Sequence, residues 1–187
     1  MSTHTKHTEI GTIYFITFTC FEWLPLFDKT SLYEYFNKWF GYLLKNDASL
    51  VGYVIMPNHF HGLVYLGDKC GISLNNLVGN GKRFLAYEIV KRLKKSGQSD
   101  LLTQLSSHVR ESEKNKNKQH EVFRLSFDAK KCFNRKIVEQ KLDYIHHNPV
   151  SGKWSLVEDW RTYPHSSAGF YELGKDNKYL LHYRNVI

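Results

Sequence analysis

The sequence predicts an α+β fold in which helices cover one face of an antiparallel sheet. Three observations carry that expectation. Short apolar runs rich in β-branched and aromatic residues read as strands, and amphipathic stretches at 3.6-type spacing read as helices. The two alternate in the order strand, helix, strand, strand, helix, strand, helix.

The first strand is residues 11–20, GTIYFITFTC, where Ile13, Phe15 and Phe18 alternate imperfectly with Thr12, Thr17 and Thr19. Asp28 or Thr30 can cap the following helix, in which Leu32, Tyr35, Phe36, Trp39, Phe40 and Leu43 recur at helical spacing. Residues 50–55, LVGYVI, and 60–66, FHGLVYL, are neighbouring antiparallel strands; Pro57 cannot donate to a ladder and marks the break. From Ile72 to Lys95 the pattern is helical, with Gly79-Asn80-Gly81 expected to divide it into a short helix and a basic one. Residues 111–120, ESEKNKNKQH, lack periodicity and read as a mobile surface loop. Residues 121–127, EVFRLSF, are the last strand candidate. Asn134 caps a final helix with Ile137, Val138, Leu142 and Ile145 on its apolar side, and Pro149 ends it. Residues 1–150 form the expected catalytic domain. The tail, 151–187, holds Trp154, Trp160, Tyr163, Phe170 and Tyr171 and should pack on that domain rather than serve as a linker.

Composition narrows the partners. Lys and Arg total 26 against 18 Asp and Glu, giving +8 at pH 7, which favours a polyanion. An aromatic content of 15% supplies a core and leaves rings that can stack on bases. Cys20, Cys70 and Cys132 are too widely spaced for a Cys-x-x-Cys zinc site and too few for a disulfide framework, so a reducing cytoplasm is expected. The start, MSTHTKHTEIGTIYF, lacks a secretory pattern, and no run approaches the ~18 apolar residues of a membrane span.

Two constellations carry chemistry. In His59-Phe60-His61 the imidazoles leave one face of an extended strand, ~6 to 7 Å apart along the backbone, so both can converge on one cation. An isolated pair of this kind is most often two ordinary strand histidines. In Asp143-Tyr144-Ile145-His146-His147-Asn148-Pro149 the phenol of Tyr144 and the amide of Asn148 lie one helical turn apart on the same side. A phenol attacking phosphorus yields a phosphotyrosine that conserves the bond energy, so breakage and rejoining need no ATP. A hard oxygen donor beside two imidazoles tolerates Mg²⁺ or Mn²⁺, and imidazole alone would also accept Zn²⁺.

The chain resembles the HUH single-strand DNA transposases with one catalytic tyrosine, and among them the REP-associated tyrosine transposases. The resemblance rests on three blocks: Met56-Pro57-Asn58-His59-Phe60-His61-Gly62-Leu63-Val64, Leu142-Asp143-Tyr144-Ile145-His146-His147-Asn148-Pro149-Val150, and Tyr163-Pro164-His165-Ser166-Ser167-Ala168. It covers residues 10–172. It implies a ferredoxin-like (RRM-like) antiparallel sheet, His59 and His61 as a metal-binding pair, Asn148 as the third ligand, and Tyr144 as the nucleophile that takes the 5′-phosphate. It also implies Mg²⁺ or Mn²⁺ and recognition of hairpin ends in single-stranded DNA, by a monomer or a homodimer. The chain departs from the family in reading Val122-Phe123-Arg124-Leu125-Ser126-Phe127 where many members carry a Trp-rich strand, and in the 111–120 insertion.

Lys82, Arg83, Lys91, Arg92, Lys130, Lys131, Arg135 and Lys136 are candidates for phosphate contacts, each loss of which should lower the salt slope of binding by ~1. A solvated helix face accounts for any one of them equally well. Two other functions compete with a nicking and joining enzyme. One is a domesticated hairpin-binding protein without turnover; the other is a metal-dependent hydrolase using water as nucleophile.

Overall fold

The computed structural model describes residues 6–115, 117–152 and 154–187; residues 1–5, which opened the N-terminal reading, and Lys116 of the polar segment lie outside them. In chain order the elements are β1 (Thr12–Thr19), α1 (Leu26–Lys29), α2 (Phe36–Lys45), β2 (Ala48–Ile55), β3 (His59–Leu66), α3 (Leu74–Lys95), α4 (Ser99–Ser107), α5 (Glu111–Lys114), β4 (Asp128–Cys132), α6 (Arg135–His147) and α7 (Ala168–Glu172), with short 3-10 turns between some of them. The four strands lie in the order β2-β3-β1-β4, each neighbouring pair antiparallel. β1 and β2 therefore run parallel with β3 between them, and β3 and β4 run parallel with β1 between them. This is the ferredoxin-like arrangement of two interlocked split βαβ units.

Strand alternation sorts the core into two layers. Tyr14, Ile16, Phe18, Phe60 and Val64 face α2 and α3. Ile13, Phe15 and Leu63 face Val138, Leu142 and Ile145 of α6, together with Tyr163 and Tyr183 of the tail. Helices thus cover both faces rather than the single face expected from sequence. α6 carries only one narrow apolar stripe, which cannot itself reveal the face it will occupy.

Gly52 seats α6. A bulge after Leu50 turns Val51 and Gly52 to the α6 side together, and a Cβ added at Gly52 would lie 2.3 Å from Leu142 Cδ2. Gly52→Val should destabilise the fold by about 1–3 kcal/mol through overpacking. A denaturant midpoint equal to the parent's would contradict this seating.

Gly79-Asn80-Gly81 does not divide α3, which runs unbroken over 22 residues. Gly81 is a contact: the Trp39 indole lies 2.4 Å from where its Cβ would be, and Trp39 Nε1 donates to Leu77 O at 3.0 Å. Burying that ring offsets the helix cost of glycine, about 1 kcal/mol.

The last strand also differs from the expectation. It is Asp128–Cys132, while 121–127 is irregular, with Phe123 bridged to Cys20 and Val122 and Phe123 plugging the α2–α3 layer. Apolar residues mark that plug, whereas the edge strand itself is polar and exposed. Within 111–120 the structure places the short helix α5, and the sequence pattern also passed over α4, whose only fully buried side chain is Leu105.

The tail runs along the free edge of β2. Ile55 N donates to His165 O at 2.9 Å, Ser167 N to Tyr53 O at 2.9 Å, and Leu181 N to Leu50 O at 2.8 Å. Tyr163 and Tyr171 hydroxyls donate to the carbonyls of Ile55 and Val51. Among the described residues no helix is long and apolar enough to cross a membrane, and Cys20, Cys70 and Cys132 are free thiols.

Candidate active site

β3 begins at His59, so His59 and His61 project to the α6 side while Phe60 enters the opposite layer between Phe18, Trp39 and Phe36. The two imidazole centroids are 4.8 Å apart. Helix α6 opens on Asn134, whose side chain accepts from Ile137 N at 3.0 Å, and packs Leu142 and Ile145 against the sheet. Helical spacing then directs Tyr144 along the sheet toward the histidines. Its hydroxyl is 3.5 Å from His61 Nε2, at the limit of a hydrogen bond, and the ring is 49% exposed. The phenol reaches the histidines of its own chain.

His59 is held in one tautomer. Asn58 is 1% exposed, and its Nδ2 donates to Trp23 O at 2.8 Å, which fixes the amide and turns Oδ1 to His59 Nδ1 at 2.7 Å. The imidazole must donate from Nδ1 to that oxygen, leaving the Nε2 lone pair for the site. Asn148, at the C-terminal cap of α6, lies close enough to the His59 side chain to act on its proton affinity. His61 Nδ1 lies 2.6 Å from Thr17 Oγ1, its partner across β1, and donating there would free Nε2 in the same way.

Burial pushes His59 down to about 4, partly opposed by Asn148. Burial, then His59 and the Lys141 ammonium, push His61 down to about 3. Both rings are therefore neutral near pH 7, the form that binds a cation. Two neutral imidazoles with an amide oxygen could hold Mg²⁺ or Mn²⁺, and imidazole also accepts Zn²⁺. No group of three His, Cys, Asp or Glu that could hold a metal occurs among the described residues.

His146, on the far side of α6, is buried, lies 2.8 Å from Ser167 Oγ and stacks on Trp160; burial pushes it down to about 4. Ser167 in turn accepts from Tyr53 N at 2.9 Å, so the tail block containing it clamps α6 to β2. All three histidines carry protons more readily unfolded, near pH 6.5, than folded. Their contribution is complete above pH 6.5 and is lost as pH falls toward their folded values, at up to about 1.4 kcal/mol per pH unit for each. Without metal, unfolding free energy should drop on the order of several kcal/mol between pH 7 and pH 5, with a shallower slope in His146→Gln. A flat profile in urea titrations over that range would contradict their burial as neutral rings.

No family model and no curated protein matches the chain. Among solved structures it is similar to one described as the REP-associated tyrosine transposase bound to a REP hairpin. The two share 16% identity at a TM-score of 0.59, over 97% of this chain and 98% of the other. What they share is the fold.

The basic candidates do not form one surface. Lys82, Arg83, Lys91 and Arg92 sit on α3, across the sheet from Tyr144. Lys82 is half-buried and donates to Arg124 O at 2.7 Å, and burial pushes it down to about 8; Arg92 donates to Thr30 O, Ser31 O and Glu88. Both hold loops. Lys91 lies 3.7 Å from Glu88, Lys131 pairs with Glu9, and Arg135 with Glu139. Arg83, Lys130 and Lys136 are exposed, the last two on β4 and α6.

Sequence reasoning passed over three residues that the structure places at the site: Asn58, Thr17 and Lys141. Lys141 Nζ lies 4.7 Å from the Phe15 ring centroid and 5.9 Å from that of Tyr144. Its spacing three residues before Tyr144 on one helix was the available signal.

Proposed function

We propose that this chain is a single-strand DNA transposase that cuts and rejoins DNA beside hairpins through Tyr144, with a divalent cation held by His59, His61 and Asn148. The observation that carries this reading is the approach, within one chain, of the Tyr144 phenol to two neighbouring buried imidazoles, with Asn148 beside His59. The likeness to a transposase bound to a hairpin supports hairpin DNA as the substrate class.

Mg²⁺ or Mn²⁺ at the three ligands would supply Lewis-acid polarisation of the scissile phosphate. The protein does the rest. Tyr144 Oη attacks phosphorus, the phenolic proton passes to solvent beside the half-exposed ring, and the P–O3′ bond breaks as the new O–P bond forms. The released 3′-oxygen takes up a proton, and the 5′-phosphate stays on Tyr144. Attack by a 3′-hydroxyl on that ester reverses the step and joins strands. Lys141 places a cation beside the ring on which phenolate charge develops. The Asn58 and Thr17 contacts keep both histidine rings oriented through the cycle.

The test is incubation with an end-labelled hairpin oligonucleotide carrying a single-stranded flank, with Mn²⁺ or with EDTA. Metal-dependent cleavage into a free 3′-hydroxyl fragment and a protein-linked 5′-phosphate fragment is expected. Two free fragments would instead establish a hydrolase, and tight binding with intact DNA would establish a binder without turnover.

A further inference from the structure

Beside His59 the chain holds an arrangement that the cleavage chemistry leaves unused. Glu22 and Trp23 are consecutive non-glycine residues with positive φ, 49° and 59°. Each such residue is strained and persists only where its surroundings fix it. Here they do: Cys20 N donates to Asn58 O at 2.8 Å, Phe21 N to Val122 O at 2.8 Å, and Asn58 Nδ2 to Trp23 O. The result is an indole that is 52% exposed although a large core lies close by. Its ring centroid is 6.0 Å from that of His59, edge on, and the Arg124 guanidinium lies 5.9 Å from it.

The indole borders a groove of about 650 Å³ whose wall includes Thr17, Thr19, Arg110, Arg124 and Leu125, with the carboxylates of Glu22, Glu121 and Asp128 also on it. Thr17 and Thr19 lie directly across from His61 and His59, so the groove borders the strand next to the histidine pair. An exposed flat ring with the Arg124 guanidinium over it, beside the candidate phosphate-cutting centre, matches one ligand class: an unpaired nucleobase with its phosphate. An apolar protein partner would leave Arg110 and Arg124 unmatched.

We infer that Trp23 is a stacking platform for an unpaired base next to the scissile phosphate, with Arg124 and Arg110 facing the adjoining backbone. This rests on the proposed function and adds a residue that sets where along the strand the phosphate is presented. Stacking is sequence-tolerant, so Trp23 fixes register more than base identity. The Asn58 bond uses the Trp23 backbone carbonyl, so replacing the side chain leaves the His59 tautomer in place.

The experiment is an abasic scan. A hairpin with a single-stranded flank is made with one base removed at each flank position in turn, and affinities are read by fluorescence anisotropy at fixed salt with the parent, Trp23→Ala and Trp23→Phe. In the parent, one abasic position should weaken binding roughly 5- to 150-fold, the worth of a stacked base. Trp23→Ala should weaken binding to intact DNA by a similar factor and lose its sensitivity at that position alone, while Trp23→Phe keeps most of both. A parent profile with no sensitive flank position, or a Trp23→Ala profile that keeps the parent's sensitive position, would overturn the platform and leave the transposase reading standing. Failure of the parent to bind any hairpin or flank would bring down that reading itself. Circular dichroism of Trp23→Ala separates misfolding from lost stacking, and the parent scan needs no variant.

Discussion

Tyr144→Phe is expected to abolish strand cleavage and the protein-linked product, with a rate loss on the order of 10³-fold or more, as for removal of a covalent nucleophile. The substitution removes one hydroxyl and nothing else that holds the ring. The aromatic contacts to Phe15 and His61, at centroid distances of 6.1 and 5.2 Å, are open to phenylalanine as well. The hydroxyl itself meets only His61 Nε2 at 3.5 Å, so the stability change should stay within about 1 kcal/mol. DNA affinity should be nearly unchanged, because the phenol acts in the chemical step. Gel analysis of cleavage beside anisotropy of binding separates the two. Normal cleavage by the phenylalanine variant would assign the nucleophile elsewhere.

His61→Gln is expected to have the second large effect, and its two consequences run in opposite directions. Losing one of the three proposed ligands should weaken Mn²⁺ binding more than the 10- to 100-fold typical of an outer-shell change, with a matching loss of cleavage at limiting metal. The same change removes the most strongly depressed histidine, so the metal-free protein should resist acid better than the parent between pH 6.5 and pH 4. Calorimetric metal titration and urea unfolding at pH 5 read the two effects. Metal affinity equal to the parent's would exclude His61 as a ligand. Reduced acid resistance would mean the ring is charged when folded, contrary to its burial against Phe15 and Tyr144.

The division between what could be read from sequence and what could not follows physical lines. The placement of His59, His61, Tyr144 and Asn148 was legible because strand and helix periods fix which side chains share a face, and the structure sets Tyr144 beside His61 and Asn148 beside His59. The caps at Asn134 and the break at Pro149 were legible for the same local reason. Long-range choices were not. Nothing in α6 announces that it packs on the face opposite α2 and α3. Gly81 reads as a helix breaker until the Trp39 ring is placed against it. The 121–127 segment reads as a strand because Val122 and Phe123 are apolar, although they serve as a plug and the true edge strand is charged.

The same limit explains the site residues that were passed over. Asn58 precedes His59 by one position, but its role depends on a carbonyl contributed by Trp23, 35 residues earlier. Trp23 itself looks like any core aromatic, since a left-handed backbone at a non-glycine residue has no sequence signature. The basic residues show the converse. Net charge was visible, yet Lys82 and Arg92 use their charges on loop carbonyls within the fold.

The convergence of Tyr144 on the histidine pair is tested most directly by locating the covalent bond. The protein is reacted with a hairpin oligonucleotide in Mn²⁺, the DNA is trimmed by nuclease, and peptides are sequenced by tandem mass spectrometry. A nucleotide 5′-phosphate attached to Tyr144 is the predicted result. The same adduct on another tyrosine, or cleaved DNA with no modified peptide, would contradict it.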